Sequence, residues 1–278
     1  MKVQETDRKE SMITVRNLYK EYHVTQKGKG LGGTLKALVR NEKKIIKAVN
    51  GLDFHVDKGE IVGFIGPNGS GKSTTIKMMT GILTPTSGEV LIDGRNITKY
   101  RKDVVREIGV VFGQRTQLNW DLRLEETFEL LRHIYRIDKK DYQETLAVMD
   151  SILGVGELLD KPVRQMSLGQ RVKGDLTAAM LHSPKVLFLD EPTIGLDITS
   201  KYALRKFIKE INRVKGTTVI LTTHDLGDIQ ELCERLIIIN EGVMIDDGNL
   251  TEIVEKYQYM KSEIAAVKQI DHLELITG

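Results

Sequence analysis

The nine residues GPNGSGKST, Gly66 to Thr74, stand between an apolar run, Ile61 to Ile65, and a segment of helical pattern, Thr74 to Thr80. This placement constrains the fold more than any other feature, because a glycine-rich turn that closes a strand and opens a helix is a unit of a parallel α/β sheet. The residue types also define a chemistry. Glycines let consecutive backbone N–H groups turn inward around phosphate oxygens, and the helix that follows presents its positive end. A lysine at Lys72 reaches the β- and γ-phosphates, and a hydroxyl at Ser73 suits Mg²⁺. The candidate phosphate contacts are therefore Gly66, Pro67, Asn68, Gly69, Ser70, Gly71, Lys72, Ser73 and Thr74.

Three more apolar runs, KVLFLD, TVILTTH and RLIIIN, alternate with helical patterns, which fits a mainly parallel sheet. A different texture intervenes. Glu125 to Ile137 carries Phe128, Leu131, Ile134 and Tyr135 at helical spacing, and Asp141 to Leu153 repeats it with Tyr142, Leu146 and Ile152. A helical lobe over about 115–182 is expected as an insertion into the α/β core. Residues 1–11 read as a solvated tail, 12–249 as the main domain and 250–278 as a helical extension. With 41 Lys+Arg against 39 Asp+Glu, the net charge of +2 offers no global field for nucleic acid. A single cysteine, Cys233, excludes an internal disulfide and a cysteine-based metal cage. The charged start MKVQETDRKE is unlike a signal peptide, and no apolar run approaches the roughly 20 residues that span a bilayer, so the chain is expected in the cytoplasm.

The run VLFLDEP ends a buried-type strand in two carboxylates, at the edge where an open α/β sheet places its ligand crevice. Asp190 is placed to hold Mg²⁺, and Glu191 to orient or deprotonate an attacking water. Gln114 after IGVVFG and His224 after TVILTT close strands of their own toward the same edge, as sensors of a γ-phosphate or as capping groups. The other five histidines have no comparable setting.

GPNGSGKST, the glutamine of FGQ, SLGQ, LFLDEP, GLD and TTHD, in this order and over about Ile13 to Gly248, resemble the nucleotide-binding subunit of an ATP-binding cassette (ABC) transporter. The wording VFGQRTQLNWDL, VRQMSLGQR and DEPTIGLD is most similar to the ATPases grouped with viologen and drug exporters. The resemblance implies a RecA-like P-loop NTPase core with an inserted helical subdomain and an N-terminal antiparallel β portion. It implies ATP and Mg²⁺ as cofactors, with Glu191 as base, His224 and Gln114 sensing the γ-phosphate, and Ser73, Gln114 and Asp190 around the metal. Two such domains close head to tail, so Ser167, Gly169, Gln170 and Asp197 would meet the nucleotide held by Lys72 of a second copy or a related ATPase. MSLGQ departs from the usual signature at Met166 and Leu168. Tyr22 resembles the aromatic that stacks on adenine, or is a plain edge-strand tyrosine. Trp120 lies where a membrane subunit docks in this family, or packs the helical lobe. Membrane permease subunits are the implied partners, on the cytoplasmic side of the membrane, with no nucleic acid. ATPases of the chromosome, excision-repair and ribosome types are disfavoured: 95 positions between Lys72 and Ser167 leave no room for a long coiled coil, one cysteine forbids zinc modules, and there is one signature. An importer ATPase is the second rival.

The segment 23–47 is longer than the family pattern. Leu31, Leu35, Leu38, Val39, Ile45 and Ile46 fall on one side of a helical wheel, with Lys36, Arg40, Lys43, Lys44 and Lys47 opposite. A basic amphipathic helix over 31–47 would lie on an anionic membrane surface or a partner, or pack on its own domain.

Overall fold

In a computed structural model, which describes residues 10–25, 43–113 and 115–259, ten strands form two sheets. The first sheet is antiparallel. It pairs β1 (Ser11–Thr25) with β2 (Lys43–Asp57) on one side and with β4 (Ser87–Ile92) on the other, and β5 (Arg95–Asn96) follows β4. The second sheet has the order β10-β9-β3-β8-β7-β6, where β3 is Ile61–Ile65, β6 Ile108–Phe112, β7 Val186–Asp190, β8 Thr218–Thr222, β9 Arg235–Asn240 and β10 Val243–Asn249. Every pair in it is parallel except β9 with β10. This is the mixed α/β architecture of a RecA-like P-loop core.

The central strands are apolar without interruption because both faces of this sheet are covered. Along β7 the side chains alternate between two cores. Val186 and Phe188 join Val62, Phe64 and Ile237 beneath the first sheet, whereas Leu187 and Leu189 join Val219, Leu221 and the helices. Helices α1 (Lys72–Met79), α2 (Leu124–Tyr135), α3 (Lys139–Leu153), α4 (Leu168–Met180), α5 (Ile198–Lys215) and α6 (Leu226–Leu232) follow in chain order, and residues 250–259 are also helical. Helices α2 to α4 fill the interval between β6 and β7. Among the described residues, no helix is long and apolar enough to cross a membrane.

Three readings of the sequence change here. Ser11, read as tail, already belongs to β1, and Glu10 is ion-paired with Lys58 at 2.7 Å. The helix read over 31–47 meets β2 at its end: Lys43 to Lys47 are strand, with Ile46 opposite Tyr22 and Ile45 opposite His23. Backbone pairing with β1 overrides the helical spacing there, and residues 31–42 of that reading lie outside the described residues. Ile134, assigned to the apolar stripe of α2, is 60% exposed, because six positions after buried Phe128 it is turned about 120° away from it around the helix, off the face that packs on the core. Phe128 is fully buried as expected.

Candidate functional site

The parallel register sets the site. Phe112 of β6 stands opposite Asp190 of β7, and Asp190 opposite Thr222 of β8, so the strands' C-terminal ends form one edge. The turn after β6 is closed by the Arg115 N–H donating to the Phe112 carbonyl at 2.9 Å. Gln114 itself lies outside the described residues. Gly113 must be glycine, since a Cβ there would collide with the Glu191 carbonyl.

Helix α1 opens from Gly71, whose φ of 105° and whose closeness to the Ala48 carbonyl exclude a side chain. No side chain caps this helix. Its first N–H groups are thus free to meet a ligand. The Lys72 side chain folds along the loop, with Nζ donating to the carbonyls of Gly66 at 2.7 Å and Pro67 at 3.0 Å. Burial holds its ammonium below the ordinary lysine range, an effect that Glu191 and Asp190 partly oppose.

Asp190 Oδ1 accepts hydrogen bonds from Thr222 Oγ1 at 2.7 Å and Ser73 Oγ at 3.3 Å. One carboxylate and one hydroxyl beside a phosphate cradle is a donor set that fits Mg²⁺, which takes few protein ligands and completes its shell with phosphates and water. Among the described residues there is no cluster of three or more His, Cys, Asp or Glu that would suit a protein-only metal cage.

Glu191 sits at φ 53°, a left-handed conformation that costs a non-glycine residue about 1–3 kcal/mol. Its N–H is held by the Thr222 carbonyl and Thr222 Oγ1, both at 3.0 Å. The result aims the carboxylate out of the strand line, where Oε1 lies 3.1 Å from His224 Nε2. Glu191, Asp190 and Ser73 line a cleft of about 330 Å³. A second hollow of about 190 Å³, which shares Glu191 and Ser73, is floored by the phosphate loop and Ala48. Tyr22 is 40% exposed and pairs with Ile46, two residues before Ala48, so it stands on the hairpin that borders this hollow.

The signature residues are built differently. Ser167 caps α4: its hydroxyl accepts from the Gln170 N–H at 3.2 Å, and Gln170 Oε1 accepts from the Ser167 N–H at 3.1 Å and from Lys161 Nζ at 3.0 Å. Asp197 caps α5, accepting from the N–H and hydroxyl of Ser200 at 2.9 and 2.8 Å, and these bonds hold its carboxyl below the ordinary range. A Cβ at Gly169 would collide with the Ser200 hydroxyl, so the two helix starts lie against one another. Neither Ser167 nor Asp197 contacts Lys72, Ser73 or Asp190 of the same chain through any hydrogen bond or ion pair found among the described residues.

Trp120 is about half exposed, with the Arg171 guanidinium 5.0 Å over its ring, so it is not buried in the helical lobe. Sequence reasoning missed Thr222, which orients both acidic residues. It also missed Asp175, a 5% exposed carboxylate on α4 that accepts from Thr116 Oγ1 at 3.0 Å and the Gln117 N–H at 2.9 Å. An acid three residues from Val172 on an apolar helix face was its only signal.

A sequence profile described as "ABC transporter" matches residues 49–194. The chain is 32% identical over 216 residues to the ABC transporter ATP-binding protein NatA of Bacillus subtilis, covering 78% of this chain and 87% of that protein. It is also 31% identical over 238 residues to the methionine import ATP-binding protein MetN of Haemophilus influenzae, covering 84% and 68%. Among solved structures, cbiO1 of Clostridium perfringens, described as part of the ABC transporter complex cbiONQ, aligns with a TM-score of 0.73 at 26% identity over 95% of this chain and 99% of that one. A dimeric post-hydrolysis state of the ATP-binding cassette MJ0796, bound to ADP and Pi, aligns at 0.71 and 26% over 86% and 99%.

Proposed function

The chain belongs to the ATP-binding subunits of ABC transporters, ATPases that use ATP with Mg²⁺, and from that premise we propose which residues divide the work and in which direction the transporter runs. Lys72 and the amides of Gly66 to Thr74 hold the phosphates, and Tyr22 stacks on the base. Ser73, Asp190 and Gln114 hold the magnesium, which neutralises charge on the transferring group. Glu191 takes the proton of the attacking water, and His224 holds Glu191 in place and senses the γ-phosphate with Gln114. Ser167, Gly169, Gln170 and Asp197 close the site of a second ATPase subunit.

One observation carries this reading: the strained Glu191 carboxylate, 3.1 Å from His224, faces the same cleft as the Ser73–Asp190 pair. A solvated pair of acids at a strand end would not be held in a left-handed turn by two hydrogen bonds.

The partners we propose are membrane permease subunits at the cytoplasmic face of the membrane, with half-exposed Trp120 on the surface that meets them. Export is favoured by the wording VFGQRTQLNWDL and VRQMSLGQR, which resembles drug-exporter ATPases; uptake is the second reading, favoured by the likeness to MetN. Affinity purification of the full chain from native membranes, with identification of what copurifies, is the first test. A permease is the expected result, and its absence points to a free-standing ATPase. ATP-driven accumulation of fluorescent lipophilic cations in inside-out vesicles that hold the complex supports export. Accumulation only in right-side-out vesicles overturns it.

A further inference from the structure

Asp228 lies in the first turn of α6 and is fully buried, and no part of the nucleotide chemistry described above uses it. Its Oδ2 accepts from Thr193 Oγ1 at 2.7 Å and Thr223 Oγ1 at 2.9 Å, and its Oδ1 from Arg205 Nε at 2.7 Å. The two threonines have positions of interest. Thr193 is two residues after Glu191, and Thr223 is the residue before His224. Both hydroxyls are buried as well. Thr223 Oγ1 in turn accepts from the Asp225 N–H at 3.0 Å, and Asp225 is paired with Lys201 at 2.6 Å. The strands β7 and β8 end before these residues, so sheet pairing fixes neither of them.

We infer that Asp228 is a positioning residue that sets the contact between Glu191 and His224, by fastening the chain on both sides of that contact to one carboxylate oxygen. The inference rests on the reading of Glu191 and His224 as the hydrolytic pair. The physical reason is stiffness. A carboxylate withdrawn from water is costly unless its lone pairs are filled, so the two hydroxyls and the guanidinium are bound together as a unit. A shift of either loop must stretch a charge-assisted bond in a dry site. Displacements of about 1 Å at reacting groups cost on the order of 100-fold in rate, so this anchorage reaches kcat even though Asp228 touches no nucleotide. Arg205, whose charge is reinforced by the same bond, ties the unit to α5 and hence to the helix that Asp197 caps.

The test uses the purified full chain and four substitutions, Thr193→Val, Thr223→Val, Thr193→Ser and Thr223→Ser, with Glu191→Gln as the control for the underlying reading. Valine keeps the volume and removes the hydroxyl, and serine keeps the hydroxyl. Each valine variant is expected to lose about tenfold in kcat or more with KM for ATP within about twofold, because the phosphate loop is untouched, and each serine variant to recover most of the loss. A valine variant with kcat within about twofold of the parent, or one whose KM rises in step with its lost kcat, overturns the inference. If a valine variant is insoluble, Asp228→Asn carries the same expectation, since it keeps the shape and removes the charge. Near-normal turnover in Glu191→Gln defeats the reading of the hydrolytic pair. Loss of turnover there, together with normal valine variants, defeats the positioning role alone.

Discussion

The starts of α1 and α4 are both helix N-termini with glycine nearby, and they solve the same physical problem in opposite ways. Helix α1 begins at Gly71 with no side-chain cap, and its Lys72 lies over the loop that leads in. Helix α4 begins at Ser167 with a full reciprocal cap from Gln170, further held by Lys161. An uncapped N-terminus leaves donors that an anion can satisfy, as the phosphate site proposed at α1 requires. The capping box at α4 satisfies two donors, the N–H groups of Ser167 and Gln170, within the chain, and leaves Ser167 on the surface. In the proposed arrangement this difference lets one chain carry half of two sites: a cradle open to its ligand and a cover that is partly satisfied without one.

The strongest way to break this contrast is at the hydrolytic pair beside the cradle. Glu191→Gln is expected to lower ATP turnover by at least about 100-fold while ATP binding is kept, since Lys72, Ser73 and the loop amides remain. Turnover assays and nucleotide-binding titrations on the same preparation check it, and parallel loss of both places Glu191 in the cradle instead. The cap of α4 gives a smaller effect of another kind. Ser167→Ala should cost about 1 kcal/mol of stability, read by urea denaturation, and leave ATP binding in the same chain unchanged. Weakened binding in that monomer would mean the cover also serves its own site.

How far the sequence showed this division depends on the reach of each signal. Asp190, Glu191 and His224 were legible because a parallel sheet brings the ends of consecutive strands to one edge, so an apolar run followed by a polar residue already implies convergence. The order of the strands, the hydroxyl of Thr222 over Asp190 and the anchorage of Thr193 by Asp228 were not. They join residues 32 and 35 positions apart, and a lone threonine or aspartate carries no periodic pattern that would mark its partner. The helical wheel over 31–47 failed at its end for a related reason: Ile45 and Ile46 sit in a strand through pairing with His23 and Tyr22, a non-local contact that spacing cannot see.

The smallest effect sharpens the footing of α4. Burial pushes the Asp175 carboxyl up to about 6, against the bonds from Thr116 and Gln117 that favour its charge. The native state therefore binds this proton more tightly than the unfolded chain does. Its contribution to stability falls as pH rises from the ordinary carboxylate range to about 6. Asp175→Asn should remove that decline, so the stability of the variant relative to the parent rises across the window, measured by denaturation at several pH values. A constant difference between the two would show that Asp175 does not titrate there.

The central claim, that cradle and cover meet only across two chains, is tested most directly by complementation. Lys72→Ala empties the cradle, and Ser167→Arg blocks the cover, so each homodimer is inactive at both sites. A mixed dimer of the two variants keeps one intact cradle facing one intact cover. Heterodimers isolated with two different affinity tags are expected to hydrolyse ATP at a substantial fraction of the parent rate. Isolated heterodimers as inactive as either homodimer would contradict the claim.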